Sequence, residues 1–106
     1  MARNGALDLG EKISLMRALA FQIHRKRIPV EVMAEYVDEQ FQHGRRREYR
    51  PVQEALDQSG FVGALRALEM IGEEGGLILD QVIENGDHRL TSAILTKLAD
   101  ALDGGA

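Results

Sequence analysis

Apolar residues recur along this 106-residue chain every three or four positions and nowhere alternate with polar ones over a sustained run. That spacing belongs to helices with one face turned inward, and it predicts no sheet. Leu9, Ile13, Met16, Ala20 and Ile23 form the first stripe, widened by Leu15 and Leu19. Asp8 is placed to cap this helix, with Glu11 three residues on as its capping-box partner. The helix should close near His24, where His24-Arg25-Lys26-Arg27 sets positive charge at the negative end of the helix dipole. Ile28-Pro29 then interrupts the pattern, because proline pushes the preceding residue out of the helical region and itself suits the first position of a new helix. Val30, Met33, Ala34, Val37 and Phe41 predict that second helix over Val30–Phe41, joined to the first as an antiparallel hairpin by the short link.

Gly44 reads as a helix-ending residue, and Arg45–Arg47 as a polar connection or an opening turn. Val52, Ala55 and Leu56, with Tyr49, predict a short third helix ending near Ser59-Gly60. Phe61, Ala64, Leu65, Leu68 and Ile71 predict a fourth. Gly72–Gly76 breaks the pattern. Leu77, Ile78, Val82 and Ile83 then give the core face of a fifth helix, stopped by Asn85-Gly86. Asp87 or Thr91 caps a sixth, carrying Leu90, Ile94, Leu95, Leu98 and Leu102. The expected fold is all-α, a compact bundle of five or six short antiparallel helices over residues 9–102, with flexible ends at 1–8 and 103–106.

Composition fits one folded domain: 44% of residues are hydrophobic, 28% are charged and only two are proline. With no cysteine there is no disulfide framework and no thiolate metal site, which suits a reducing, intracellular setting. No apolar run is long enough to cross a membrane as a helix, and the start of the chain lacks a secretory signal pattern. Charge changes the picture more. Residues 1–50 carry ten Lys/Arg against seven Asp/Glu, whereas residues 51–106 carry three against ten. Either the two halves pair with each other, or they offer basic and acidic faces to different partners.

Candidate chemistry is sparse. His24, His43 and His88 lie apart, without metal-ligand spacing. Ser14, Ser59 and Ser92 have no histidine at a nucleophile-motif offset. Glu73-Glu74 are adjacent, so they point apart rather than across a cleft as paired acid and base must; the helix dipole accounts for them. Glu73, Glu74, Asp80, Glu84 and Asp87 lack the ordered ligand loop of a calcium site. Gly72-x-x-Gly75-Gly76 has no Lys-Ser/Thr ending, and its glutamates repel phosphate. A non-enzymatic protein without a cofactor is expected. The best binding signal is basic: Arg25, Lys26 and Arg27, with Arg45, Arg46, Arg47 and Arg50, could meet an acidic protein, anionic headgroups or nucleic-acid phosphates. A net charge of −4, and the lack of a recognition helix after a helix-turn-helix turn, count against nucleic acid.

Two stretches carry a family likeness. The first is Leu19-Ala20-Phe21-Gln22-Ile23-His24-Arg25-Lys26-Arg27-Ile28-Pro29-Val30, followed by Val32-Met33-Ala34-Glu35-Tyr36-Val37. The second is a Gly-Glu-x-x-Gly-x-Leu pattern at Gly72, Glu73, Gly76 and Ile78, followed by two amphipathic helices ending in Lys97-Leu98-Ala99-Asp100-Ala101-Leu102. Together they resemble the cytoplasmic domain of the inner-membrane platform proteins of type II secretion and type IV pilus machines, the F family. The likeness spans residues 12–102. It departs at Arg27, where the family has glycine before Ile-Pro, and at Gly75, where it has Ser/Thr. The segment between the two motifs is also short, with Arg45–Arg50 and Gly60-Phe61-Val62-Gly63-Ala64-Leu65 in place of the usual run, and the family's membrane helices have no counterpart in these residues. The resemblance implies a docking module at the cytoplasmic face of an inner membrane, joining an assembly ATPase and neighbouring platform subunits, with self-association and only peripheral membrane contact. The alternative is a small regulatory or nucleic-acid-binding helical protein using Arg45–Arg50. Glu73 is expected to turn toward Arg25–Arg27 or Arg45–Arg47 and so hold the two charge-opposed halves together.

Overall fold

In a computed structural model, which describes residues 7–104, the chain forms five helices and no strand among the described residues: α1 (Leu9–His24), α2 (Pro29–Gln42), α3 (Arg46–Ala67), α4 (Glu73–Glu84) and α5 (His88–Gly104). The helices pack mainly in chain order, α1 on α2, α2 on α3, α3 on α4 and α4 on α5. The ring closes where α5 returns onto α1, which is the most extensive contact of all. Leu15, Met16, Leu19 and Ile23 of α1 are fully buried, and Leu95 and Ala99 of α5 belong to the same core. Ser92 of α5 donates from its hydroxyl to the Ala20 carbonyl at 2.8 Å in the buried interior. Further along, Arg17 pairs with Asp100 at 3.0 Å and Asp103 at 3.4 Å. Lower numbers on α1 thus meet higher numbers on α5, so the two helices run antiparallel. The radius of gyration, 13.0 Å, is that of a folded domain of about 100 residues.

Helix ends follow from local chemistry. Asp8 caps α1 in a full capping box: its carboxylate accepts from the Glu11 N–H at 2.8 Å, and Glu11 accepts from the Asp8 N–H at 3.4 Å. Pro29 opens α2 after an extended Ile28. Asp87 caps α5, accepting from the Leu90 N–H at 3.0 Å. The first four helices all stop in the same way. The second residue past each end enters the left-handed region, at Lys26, Gly44, Glu69 and Gly86, with φ between 59° and 81°. The residue after it donates back to the last turn, as Met70 does to the Leu65 carbonyl at 3.0 Å. This is the Schellman arrangement, which satisfies carbonyls left over at a helix end. Gly44 and Gly86 were legible as stops, whereas Lys26 and Glu69 carry no sign of it, since non-glycine residues seldom adopt that conformation.

Some expectations hold and others change. The expected boundary between a third and a fourth helix falls where α3 kinks, at the non-helical Gly60 (φ 80°, ψ −166°). The close turn there needs Gly63, where a Cβ would stand 2.2 Å from that of Ser59. Of the two readings of the arginine run, the opening turn holds: Arg46–Arg50 form the first turns of α3. Leu77 and Ile78, expected in the core, are 61% and 58% exposed. Steps of 100° along α4 put its buried face at Gly76, Leu79 and Val82, and Leu77 falls opposite. The flexible ends fall partly on residues 1–6 and 105–106, outside the described residues; of the remainder, Leu7 is buried in the core and Asp103-Gly104 complete α5. Leu9, Val30 and Leu90, placed on inward stripes, are also mostly solvent-facing.

Leu95→Ala empties a fully buried position of α5 and is expected to cost about 2–5 kcal/mol. Leu77→Ala should stay within about 0.5 kcal/mol of the parent protein. Urea unfolding curves of the two variants check the contrast.

Candidate functional site

The Gly72–Ile78 corner is built from both sides. After α3 ends at the left-handed Glu69, Met70 is buried and Gly72 becomes the extended N-cap of α4. Arg66, from the last turn of α3, reaches across and donates to the Glu73 carbonyl at 3.1 Å. Its guanidinium lies flat over Gly76, where a Cβ would stand 2.7–3.0 Å from Nη2, Nε and Cζ. Gly76 is therefore buried beneath a side chain that is itself exposed, an arginine covering backbone while its charge stays in water. The Glu73 carboxylate does not do what was expected of it. It is exposed and makes no ion pair among the described residues; the bond across the corner goes to its backbone instead. Glu73 and Glu74 occupy the first turn of α4, where the dipole favours negative charge. Arg66 was missed. The available signal was Gly76 itself, since a glycine inside a helix costs about 0.5–1 kcal/mol relative to alanine.

The seven basic residues do not form one patch. Arg25, Lys26 and Arg27 lie between α1 and α2, at the start of α2. Arg45, Arg46, Arg47 and Arg50 lie past its far end, about 21 Å away along a helix of 14 residues. Arg27 is paired with Glu35, and Arg25 stacks over the exposed Phe21 ring at 5.6 Å. Arg45 is spent inside the fold. It pairs with Glu11, the capping-box residue of α1, and with Glu48 at 3.5 Å, and its guanidinium lies 5.7 Å from the Tyr49 ring. The hydrogen bond to Glu11 raises the Arg45 pKa above its ordinary value. Arg46 lies over the Phe41 ring at 4.6 Å. Arg47 and Arg50 are exposed and make no ion pair among the described residues. With Arg46, Pro51 and Glu54 they line an open groove of about 430 Å³. Arg46 and Arg47 stand at the positive end of the α3 dipole, the unfavourable end for a cation, with Glu48 the only acid in that turn. Only Arg17, with Asp100 and Asp103, joins the basic half of the chain to the acidic half by ion pairs among the described residues.

Beside Arg45, Tyr49 is buried against Tyr36, with ring centroids 6.1 Å apart. Burial first, then the neighbouring phenol, pushes the Tyr49 hydroxyl well above the ordinary tyrosine range; burial also raises Tyr36. His24 and His43 are exposed and His88 is half-buried. Among the described residues no three His, Asp or Glu side chains are grouped to hold a metal ion, and no helix is long and apolar enough to cross a membrane. A second open groove, about 520 Å³, runs between α1 and α2. A scan of protein-family models gives no match, and neither characterised proteins nor solved structures match the chain.

Two outcomes test this geometry. With Arg66 in place, Gly76→Ala must displace the guanidinium, which offsets the gain in helix propensity. In an Arg66→Ala background the gain of about 0.5–1 kcal/mol should appear in full, as a double-mutant cycle by urea unfolding will read. The tyrosines give a pH dependence. Both hold their protons more tightly folded than unfolded, so their contribution is complete below the unfolded value of about 10 and is lost as pH rises beyond it. Tyr49→Phe should flatten that alkaline decline, followed by unfolding free energies at pH 8 and upward from 10.

Proposed function

We propose that this chain is a docking module without catalytic machinery, acting as the cytoplasmic domain of a type II secretion or type IV pilus platform protein does, and that it contacts an assembly ATPase or neighbouring platform subunits. The observation that carries the reading is the corner at Gly72, Glu73, Gly76 and Ile78. Each position of the motif has a separate role: Gly72 caps the helix, Glu73 offers its carbonyl to Arg66, Gly76 seats the guanidinium, and Ile78 stands exposed. The motif thus fixes the entry of α4 and presents Leu77 and Ile78, with Glu73, Glu74, Asp80 and Glu84, on the outward face. Exposed apolar residues beside charges are the makings of a protein contact.

The second reading, nucleic-acid binding, is supported by the groove formed by Arg46, Arg47 and Arg50, of which Arg47 and Arg50 have no acidic partner among the described residues. The separation of the two basic clusters and the net charge of −4 leave it the weaker of the two.

The tagged chain is expected to co-elute with the assembly ATPase or platform subunits of its own cell, and Ile78→Asp should abolish the co-elution while leaving the helical circular dichroism unchanged. Failure with all of these proteins, together with DNA or RNA retardation that weakens with salt and is lost when Arg46, Arg47 and Arg50 become alanine, would decide for the second reading.

A further inference from the structure

The groove between α1 and α2 is larger than the one beside Arg46, Arg47 and Arg50, and no side chain among the described residues fills it. Ala18 on α1 and Val32 and Tyr36 on α2 make its apolar bed. Phe21 stands at its edge, 59% exposed, with the Arg25 guanidinium 5.6 Å from its ring. The opposite wall is acidic, with Glu35, Asp38 and Glu39. Arg27 neutralises Glu35 at one end, and among the described residues Asp38 accepts only from the Gln42 amide, at 3.1 Å. Glu39 has neither an ion pair nor a side-chain hydrogen bond among the described residues. An apolar bed, an exposed aromatic and two carboxylates without a cation thus share one channel. Its lining runs from Val32 to Gln42 on α2, about three helical turns, and from Ala18 to Gln22 on α1, little more than one.

We propose that this groove receives a basic amphipathic helix of a partner protein. One large apolar side chain would sit against Phe21 and Tyr36, and Lys or Arg within the next turn would meet Asp38 and Glu39. The pattern is helix-in-groove recognition, in which apolar anchors at helical spacing supply affinity and flanking charges choose the partner. Exposed aromatics in such a position are where binding energy concentrates. An acidic helix or an anionic bilayer is repelled by the same wall. The inference rests on the reading of the chain as a docking module. It names a surface on the α1–α2 hairpin, separate from the α4 corner, and needs no secretion or pilus role.

The probe is a labelled leucine/lysine amphipathic peptide of about five helical turns, titrated by fluorescence anisotropy at about 150 mM salt, with its leucine/glutamate counterpart as control. The leucine/lysine peptide should bind and the control should not. Phe21→Ser and Glu39→Lys, both at exposed positions, should each weaken binding about tenfold or more, while Leu77→Ser on α4 changes it less than about twofold. Amide shifts on titration should fall on α1 and α2. Binding of the acidic peptide, indifference to both groove substitutions, or shifts gathered on α4 or α3 would overturn the proposal. So would a dimer in sedimentation that Glu39→Lys dissolves, because the occupant would then be a second copy presenting its own Arg46, Arg47 and Arg50. A failed co-elution with ATPase and platform subunits leaves this titration unaffected, so the two readings fall separately.

Discussion

The return of α5 onto α1 is the contact on which the rest of the molecule depends. All five helices could pack as successive neighbours without it, but an open row of short helices leaves the inner face of α1 in water. That face holds Leu15, Met16, Leu19 and Ile23, all fully buried in the closed ring. An isolated helix of 16 residues is marginal in water, so α1 owes its stability to what covers it. Ala20, Ser92 and Ala99 are small, which lets the two helices approach, and the Ser92 hydroxyl finds its acceptor in the Ala20 carbonyl rather than being buried without one. The Arg17 pairs with Asp100 and Asp103 lie on the exposed side, where ion pairs are worth roughly 0–1 kcal/mol. They fix register more than they hold the ring shut.

The surface follows from that closure. With its inner face committed to the core, each helix turns what remains outward, and the short elements cannot hide everything. α4 is the clearest case. Twelve residues with Gly76 under Arg66 and Leu79 and Val82 inward leave Leu77 and Ile78 on the outside among carboxylates. On the other side of the molecule, the α1–α2 hairpin leaves Phe21 above an acid-walled channel. The basic residues are divided by the same geometry. Arg45 is drawn into the fold by Glu11, which at once closes the capping box of α1 and anchors the start of α3. The exposed apolar groups here are what the packing leaves over, which is why they lie on separate helices rather than in one cleft.

Periodicity and capping chemistry carried the architecture well. The Asp8–Glu11 box, the Pro29 start, the Gly44 and Gly86 stops and the Asp87 cap are local events, decided within three or four residues, and each stood in the sequence. Two kinds of feature did not. The left-handed Lys26 and Glu69 depend on the residues after them donating back into the helix, and neither side chain advertises that. Arg66 over Gly76 joins positions ten apart across a corner, so neither residue alone pointed to the other. The Leu77-Ile78 pair misled for a related reason. In a run of four apolar or small residues from Gly76 to Leu79, phase is ambiguous, and the bed beneath Arg66 chose the one that buries Gly76. The candidate site was legible as a motif, but the partner of Glu73 was assigned to its carboxylate when the bond belongs to its carbonyl.

If the α1–α5 closure carries the fold, then it opens only when the whole molecule does. Native-state hydrogen exchange tests this directly, because it reads the free energy at which each helix exposes its amides. The central amides of α1 and those of α5 around Leu95 should exchange with one shared free energy, equal to that of global unfolding, while the outward turns of α4 exchange at lower cost. Exchange of α5 at a free energy well below that of α1, with α1 still protected, would show that the ring holds without its closing contact and would contradict the account.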